Sequence, residues 1–416
     1  MEDAILKLLR LLPECRADLH GLCNGAKHFG VDNRDLLRAI QELPANHDLQ
    51  YAGIRKLLSL CLEEFSELFA GTSGNWCEVS TPAPPALVYS AANASGLKFV
   101  SASLVCQVVV RGIFLHRQAL SLTGLSMRHC GLNVMRRDLV EFLRPKAVLQ
   151  FGVLCDECAK VCEGSQEAGE IFTLTLPKQS SFEISRNLAA RFISSFSDKL
   201  DIRISPEARR LGFSLASRMQ KAADELQNMC AQRSLLCGNS LALAQMMQLG
   251  LLWSNEGVCA LEELCDELRC TDAGRNPKRI YCFIVPFLRP EVDRQFRANG
   301  VELTGGGAFL RRRAKFGIDL PGAVASWSGS MLIRGSAVSY AEAVADDMRR
   351  WGADSYLSIG FAFDRWLGAA EPLCRSVLSS KYGFKTHALS VDFWCENCGV
   401  FDTSIPVDSI SASISK

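Results

Sequence analysis

The chain has 416 residues, and its 46 lysines and arginines nearly balance its 45 aspartates and glutamates, giving a formal net charge of +1. This balance argues against a protein that coats nucleic acid or binds other polyanions, because such proteins carry an excess of basic residues. Hydrophobic residues make up 48% and charged residues 22% of the sequence, a composition that argues against disorder. The length corresponds to roughly two or three domains. The 18 cysteines are the unusual feature of this composition.

The N-terminal sequence is not that of a secretory signal. Glu2 and Asp3 stand where a signal peptide needs positive charge, and Lys7 and Arg10 interrupt the apolar stretch that follows. The longest candidate span, Leu97–Leu115, is also interrupted by charges, and no run reaches the roughly 18 apolar residues of a membrane helix. We therefore expect a cytoplasmic protein. In a reducing cytosol, cysteines are buried thiols, metal ligands or redox groups rather than structural disulfides.

Apolar residues at helical spacing fill the first part of the chain, which we predict to be a helical N-terminal segment (1–72). Strands and helices then alternate from residue 73 to residue 180, and this alternation predicts a first α/β domain with a parallel sheet that carries the cluster cysteines discussed below. The elements predicted in this domain are a helix at Ala86–Ala94, a strand at Lys98–Ser101, a helix at Cys106–Leu122, a helix at Val134–Phe142 and a strand at Ala147–Phe151.

The second half of the chain is predicted to contain a helical region (181–270) and a second α/β domain (279–402), joined by a polar linker. The helices predicted in the middle region are Glu183–Phe196, Glu207–Leu226, Ser240–Leu252 and Val258–Leu268. The strands predicted in the second domain are Ile280–Val285, Gly300–Leu303, Tyr356–Gly360 and His387–Val391. A frayed tail (403–416) follows. The predicted fold class is α/β, with two parallel-sheet α/β units of flavodoxin or Rossmann type, a helical N-terminal segment and a helical middle region.

The densest group of cysteines follows the predicted strand that ends at Phe151. Cys155 and Cys158 have the two-residue gap that lets two thiolates bind one metal centre, and Cys162 follows four residues later. In open parallel sheets, ligands bind beyond the carboxyl ends of the strands, which is where this group lies. Cys130 is a candidate third ligand because it lies in a predicted loop beside a glycine, where the backbone can approach closely.

A second pair with the same gap, Cys395 and Cys398, follows the last predicted strand. A structural zinc site needs two such pairs, and folding would have to bring this pair to Cys155 and Cys158, so structural zinc stays an alternative. Plain burial of small thiols is the other alternative for all six residues. The gaps between Cys155, Cys158 and Cys162 run in the wrong order for a radical-SAM core.

Short segments between about residue 75 and residue 395 occur in a recognisable order. They are Cys77–Pro82 followed by Ala86–Leu97, His129–Leu132, Ala147–Asp156, Phe172–Pro177, Gly352–Asp364, Tyr382–Phe384 and Leu389–Asp392. In this order the chain resembles the 2-hydroxyacyl-CoA dehydratase and benzoyl-CoA reductase superfamily. His129–Leu132 resembles the loop that bears the first cluster cysteine of that family, and Ala147–Asp156 resembles a strand that ends in a second one.

The chain also departs from the family pattern. The family places a third cluster cysteine near Ile359–Asp364, where this chain has Gly-Phe-Ala-Phe-Asp at 360–364. The third ligand is then replaced by Asp364, supplied by Cys395, Cys398 or Cys158, or lost. An early Pro-Glu pair of the family is Pro-Ala here. The chain is therefore a divergent member, a partner subunit or a protein with an altered cluster.

The resemblance implies an iron–sulfur cluster, of the 4Fe-4S type, held close to an acyl-CoA substrate. It also implies a homologous second subunit and a separate activator that hydrolyses ATP and delivers electrons one at a time. An electron passed to the thioester gives a ketyl radical that eliminates water or accepts protons, so the implied enzyme is a dehydratase or an oxidoreductase. No nucleic-acid or membrane partner is expected. A non-catalytic partner or scaffold subunit on the same fold, and a structural zinc protein, remain open.

Two further features are candidates for substrate chemistry. The glycine run Thr304–Ala308 lacks the Lys-Ser or Lys-Thr that follows in a phosphate-binding loop, so no ATP site is expected. The basic residues Arg311, Arg312 and Arg313 follow this glycine run. They are candidates for binding the phosphates of CoA, and an ordinary solvated loop is the alternative. The resemblance places His129 beside the first cluster cysteine, where it can donate a proton or tune the cluster; an ordinary loop histidine is the alternative.

Overall fold

The computed structural model describes residues 1–71, 75–116, 131–152, 160–163, 165, 167–177, 180–272, 277–282, 290–305, 314–317, 319–331, 336–361, 365–391 and 404–415. Within these ranges the strands form two sheets of four parallel strands each. Helices surround both sheets, and this arrangement confirms the predicted α/β fold class with two parallel-sheet units. No helix in the described ranges is long and apolar enough to cross a membrane.

Four helices form the N-terminal segment. They are α1 (Glu2–Leu9), α2 (Leu19–His28), α3 (Asn33–Asn46) and α4 (Ala52–Phe69). A capping box starts α3, in which the Asp32 carboxylate accepts from backbone amides of the first turn while the Asp35 side chain accepts from the Asp32 amide. The buried face of α4 carries Ile54, Leu57 and Leu58, as its helical spacing predicts. This face joins the segment to the main hydrophobic core.

The first sheet consists of β1 (Trp76–Val79), β2 (Lys98–Val100), β3 (Ala147–Gly152) and β4 (Glu170–Thr175), in the order β2-β1-β3-β4. Its helices are α5 (Pro85–Ala94), α6 (Ala102–Gln107) and α7 (Gly131–Leu143), and a π-helix (Val108–Ile113) continues α6. The chain adds β2 on one side of β1 and then crosses to place β3 on the other side. The direction of winding therefore reverses between β1 and β3, where the carboxyl ends of the strands open a crevice.

The middle helices connect the two sheets. They are α8 (Phe182–Leu200), α9 (Pro206–Gln232), α10 (Gly238–Gln245), a 3-10 turn (Met246–Leu249) and α11 (Asn255–Arg269). Serine side chains cap the first turns of α8, α9 and α11. In α9, Gly212 lies against Ser90 of α5, and a Cβ at residue 212 would come within 2.5 Å of the Ser90 nitrogen. The long helix α9 therefore packs directly on the first sheet's own helix layer.

The second sheet repeats the connection pattern of the first. Its strands are β5 (Lys278–Cys282), β6 (Val301–Thr304), β7 (Ser355–Phe361) and β8 (Lys385–Val391), in the order β6-β5-β7-β8. Its helices are α12 (Pro290–Ala298), α13 (Leu320–Ser330), α14 (Ala337–Trp351), α15 (Arg365–Tyr382) and α16 (Ser404–Ser415). The winding reverses between β5 and β7, so each sheet has one switch point at an equivalent place.

Three local features differ from the sequence-based expectations. The helix expected over Ser240–Leu252 ends earlier, because Gly250 at φ +95° turns the chain after the 3-10 turn. The helix expected from Cys106 begins at Ala102 and widens into the π-helix, for which the sequence has no signature. The tail expected to be frayed from residue 403 contains α16, which buries Ile410 and Ile414 and packs against α12.

Candidate functional site

The carboxyl ends of β1 and β3 are joined by the first residue after β1. The Ser80 backbone amide donates to the Leu149 carbonyl at 2.9 Å, and the Ser80 hydroxyl accepts from the Phe151 amide at 2.8 Å. These bonds extend the pairing of β1 and β3 up to the switch point. In the sequence, Cys155 comes three residues after Gly152, the last residue of β3, so the predicted cluster cysteines follow the strand at the edge where a crevice is expected.

A buried ion pair lies just below this edge. The Glu78 carboxylate of β1 accepts from Arg136 Nε of α7 at 3.2 Å and from the Ala102 amide of α6 at 3.0 Å. The side chains of Glu78 and Arg136 are 1% and 3% exposed, so both charges are removed from water. A buried charge is tolerated only with a partner, so this pair fixes α7 and the start of α6 to β1.

Gln150 of β3 extends the ion pair across the sheet. Its side-chain oxygen accepts from Arg136 Nη1 at 3.5 Å and from the Cys162 amide at 3.3 Å. Its side-chain nitrogen donates to the Thr173 hydroxyl of β4 at 3.2 Å. The network therefore joins β1, β3, β4, α7 and the turn that contains Cys162, and it runs from the buried ion pair to the exposed Thr173 on β4.

The Glu78 carboxyl gives this network a pH dependence. Burial raises its pKa from 4.5 to about 7, against the opposing effect of the Arg136 charge and the hydrogen bonds from Ala102 and Arg136. Between pH 4.5 and about 7, Glu78 is ionised in the unfolded chain but protonated in the folded protein. The free energy of unfolding therefore falls as the pH rises through this window and is constant above it. We expect the free energy of unfolding of the wild type, relative to Glu78→Gln, to decrease by about 3 kcal/mol across this window. Urea titrations of both proteins at a series of pH values measure it, and a pH-independent difference contradicts it.

Cys162 is the one predicted metal ligand within the described residues. Its side chain is fully buried and packs in a small apolar cluster with Val140 of α7 and Val148 of β3. Burial raises the pKa of its thiol, which keeps the free thiol protonated at neutral pH. This environment suits an anchoring residue for the turn 160–163, while metal ligation by Cys162 stays a prediction.

Two segments that follow predicted ligands meet on one face of β3. Helix α7 begins at Gly131, the residue after Cys130, and Lys160 is two residues after Cys158. Val140 of α7 and Cys162 belong to the same apolar cluster, and Arg136 of α7 and the Cys162 amide both donate to the side-chain oxygen of Gln150. The fold thus brings the chain that leaves Cys130 and the chain that leaves Cys158 to one place.

The first turn of α7 contains a buried donor without a partner. Asn133 is 3% exposed, and within the part of the chain that the structure describes its side-chain nitrogen Nδ2 has no hydrogen-bond partner. An unpaired buried donor costs about 1–3 kcal/mol and is uncommon in folded proteins. The third residue of α7 is therefore a place where a bound acceptor would be stabilised.

The chain enters the 117–130 segment from a tightly held position. Leu115 has a left-handed φ of +53°, which is costly for a branched residue. The His116 imidazole lies 2.6 Å from the Asp35 carboxylate of α3, and Arg111 of the π-helix donates to the His116 carbonyl at 2.6 Å. Arg38 of α3 donates to the Leu115 carbonyl. The N-terminal helices therefore fix the point from which the chain proceeds to His129 and Cys130.

The segment 238–253 contacts the carboxyl edges of both sheets. Gln245 of α10 donates to the carbonyl of Gly305, the residue after β6, at 2.6 Å. The Trp253 indole donates to the hydroxyl of Ser101, the residue after β2, at 3.1 Å. This segment therefore lies between the two edges at which ligands of such sheets bind.

Most predicted site residues lie outside the described residues. They are His129, Cys130, Cys155, Cys158, Arg311, Arg312, Arg313, Cys395 and Cys398. Within the ranges that the structure describes, no three His, Cys, Asp or Glu side chains are grouped to hold a metal ion. The metal, CoA and proton-donor roles of these residues stay predictions.

Sequence reasoning missed Glu78, Arg136, Gln150 and Asn133. A weak signal existed for two of them, because Glu78 and Gln150 interrupt otherwise apolar strands, and buried polar residues are uncommon without a role. Arg136 and Asn133 are ordinary polar residues of a helix in the sequence. Only the position of α7 over β1 and β3 gives them significance.

Comparison with known families supports the resemblance noted from the sequence. A family model described as "2-hydroxyglutaryl-CoA dehydratase, D-component" matches residues 86–294, which is half of the chain. The match runs from α5 through the middle helices to α12, so it includes α7, β3 and the turn that contains Cys162. No curated protein matches the chain. The extent of the family match shows that this chain belongs to the 2-hydroxyglutaryl-CoA dehydratase D-component family.

Proposed function

We propose that the chain is the iron–sulfur subunit of a system of the 2-hydroxyacyl-CoA dehydratase or benzoyl-CoA reductase type, acting on an acyl-CoA thioester. Membership of the D-component family supports a component of a dehydratase system. The observation that carries the cluster role is the meeting of α7 and the turn 160–163, the segments that follow Cys130 and Cys158, on one face of β3. A homologous second subunit and a separate ATP-hydrolysing activator complete the proposed system.

The described surroundings fit a thiolate-bound cluster. The start of α7 carries a partial positive charge, which favours the negative charge of thiolates and sulfide. The buried Asn133 amide offers an N–H donor of the kind that sulfur ligands accept. The apolar cluster of Val140, Val148 and Cys162 packs the later turns of α7 onto β3, and exclusion of water from this layer is of the kind that lowers the reduction potential of a cluster.

In this proposal Cys130 and Cys155 are the principal ligands, and the remaining ligands come from Cys158, Cys162, Cys395 or Cys398. The bound cluster supplies one-electron chemistry at low potential. The chain's own residues do the rest. Glu78, Arg136 and Gln150 hold α7 and the turn 160–163 in fixed relation, and the apolar residues around them exclude water. His129 is the proposed proton donor to the substrate, and the Arg311–Arg313 stretch is the proposed contact for CoA phosphates.

The direct test is anaerobic purification of the full chain, followed by iron and acid-labile sulfide analysis and an absorption spectrum. We expect iron, sulfide and a broad visible band in the wild type, and loss of all three in Cys155→Ala, because removal of one thiolate opens the ligand set. Cys270→Ala is the matched control, since Cys270 is an exposed free cysteine in the described part of the chain and its loss should leave the iron content unchanged. Zinc in a colourless protein would instead favour a structural zinc site.

A non-catalytic partner subunit is the second candidate, and the sequence at β7 favours it. The family's third cluster cysteine is expected near the carboxyl end of this strand, where the chain reads Ile359, Gly360, Phe361. This candidate predicts a metal-free, colourless chain that co-purifies with a homologous subunit. Such a result would exclude the cluster role for this chain while keeping its place in a dehydratase system.

A further inference from the structure

We propose that the side-chain amide of Asn133 donates a hydrogen bond from Nδ2 to a sulfur atom of the cluster. The inference rests on the proposed function and deepens it by naming a residue that sets the cluster's electronic environment without ligating iron. Asn133 is a positioning and tuning residue in this role. Three observations on the described residues carry the proposal: the burial of Asn133, its unpaired nitrogen and its position in α7.

The first two observations concern the side chain itself. Asn133 is 3% exposed, so its amide has little access to bulk solvent, and Nδ2 has no hydrogen-bond partner among the described residues. Asn133 Nδ2 is one of several buried donors without a partner among the described residues, and its place beside the proposed first ligand distinguishes it from the others. An amide N–H needs an acceptor, which thiolate and sulfide sulfur both provide.

The third observation concerns direction. Asn133 is the third residue of α7, and side chains on a helix lean toward its N-terminus, over the turn that precedes them. The residue before α7 in the chain is Cys130, the proposed first ligand. The Asn133 amide therefore lies in the first turn of α7, where the helix dipole places a partial positive charge. The amide N–H and this partial charge both favour a negatively charged sulfur.

The side-chain acceptors of the network formed by Glu78, Arg136 and Gln150 already have donors. The two oxygens of Glu78 accept from Arg136 and from the Ala102 amide. The side-chain oxygen of Gln150 accepts from Arg136 and from the Cys162 amide. These groups hold α7 in place without using the Asn133 nitrogen, which therefore stays available to an acceptor that binds there.

The expected consequence is electronic. A reduced cluster carries one more negative charge than an oxidised one, and an N–H donor to sulfur stabilises that charge. Removal of the donor should therefore lower the reduction potential while the iron stays bound. It should also remove an unsatisfied group from the metal-free protein, where Nδ2 has no acceptor.

The experiment compares wild type, Asn133→Leu and Asn239→Leu as full chains, each in the cluster-loaded and the metal-free form. Asn239 is the matched control because it is fully buried, but its Nδ2 reaches the Pro290 carbonyl at 3.3 Å and the Asp293 carboxylate at 3.4 Å. The measurements are iron and sulfide content, the reduction potential from a redox titration followed by electron paramagnetic resonance, and urea unfolding of the metal-free forms.

We expect Asn133→Leu to keep the wild-type iron content, to lower the reduction potential, and to leave the metal-free protein at least as stable as the wild type. Asn239→Leu should keep the potential and destabilise both forms. An unchanged reduction potential in fully loaded Asn133→Leu overturns this inference but leaves the proposed function standing. Destabilisation of metal-free Asn133→Leu as large as that of Asn239→Leu has the same consequence. A wild type without iron or sulfide overturns the proposed function and this inference with it.

Discussion

Replacement of Arg136 by methionine is expected to lower the free energy of unfolding by about 3–5 kcal/mol. The substitution leaves the Glu78 carboxyl buried and, among the described residues, with the Ala102 amide at 3.0 Å as its one remaining donor. Methionine keeps the unbranched apolar stem of arginine and so limits the cavity, and the effect then reports mainly the loss of the charge partner. Loss of the arginine charge also raises the pKa of Glu78 further, because that charge opposes the effect of burial.

Urea unfolding at about pH 9, where Glu78 is ionised in the folded wild type, measures this effect, and the next residue of the helix provides the control. Arg137 pairs with Glu141 at 3.0 Å, but both side chains are about one-third exposed, so Arg137→Met should change the stability by less than about 0.5 kcal/mol. Glu78→Leu combined with Arg136→Met removes both charges and should be more stable than Arg136→Met alone. Equal stability of Arg136→Met and Arg137→Met would show that the buried pair does not hold α7.

The same substitution tests how the ion pair serves the proposed site. Arg136 fixes the second turn of α7, and α7 begins directly after Cys130. A loosened α7 would misplace Cys130 relative to the turn 160–163, which Gln150 also holds. We therefore expect Arg136→Met to lose bound iron in parallel with stability, whereas Asn133→Leu loses neither. This contrast separates the anchoring of the helix from the tuning of the cluster.

The fold could be predicted from the sequence because its strands are short apolar runs that alternate with amphipathic helices. β3 and β7 were recognisable in this way, and the two-sheet architecture follows from the alternation. The end of α10 was not predictable to the residue, since the helical pattern continues into the 3-10 turn before Gly250 reverses the chain. Local periodicity cannot indicate where a glycine is forced to a positive φ.

The candidate site was predictable only in part, for a different physical reason. Cys155 and Cys158 attract attention by their spacing, which is a local property of the sequence. The Glu78–Arg136 pair joins residues 58 positions apart, so only the tertiary fold makes it visible. Asn133 is recognisable by a missing partner, which a sequence cannot display.

Substitution of Gly250 by alanine is expected to lower the free energy of unfolding by about 3 kcal/mol. Gly250 has φ +95°, which strains any residue with a Cβ, and a Cβ at this position would lie 2.0 Å from Cζ2 of the Trp253 indole. The ring is 8% exposed and packs edge-on against Tyr89, so it has little room to move. A displaced indole would lose its hydrogen bond to Ser101 at the end of β2.

Gly300→Ala is the control for backbone strain alone, because Gly300 has φ +73° and no atom within 4 Å of an added Cβ. It should cost about 1 kcal/mol. In a Trp253→Phe background the clash at residue 250 is relieved, so Gly250→Ala should cost little more than this control. An equal cost of Gly250→Ala in both backgrounds would contradict the clash. Trp253 and Gln245 attach one segment to the carboxyl edges of both sheets. If the substrate lies between those edges, Gly250→Ala should also weaken acyl-CoA binding. Calorimetric titration with an acyl-CoA measures that loss of affinity.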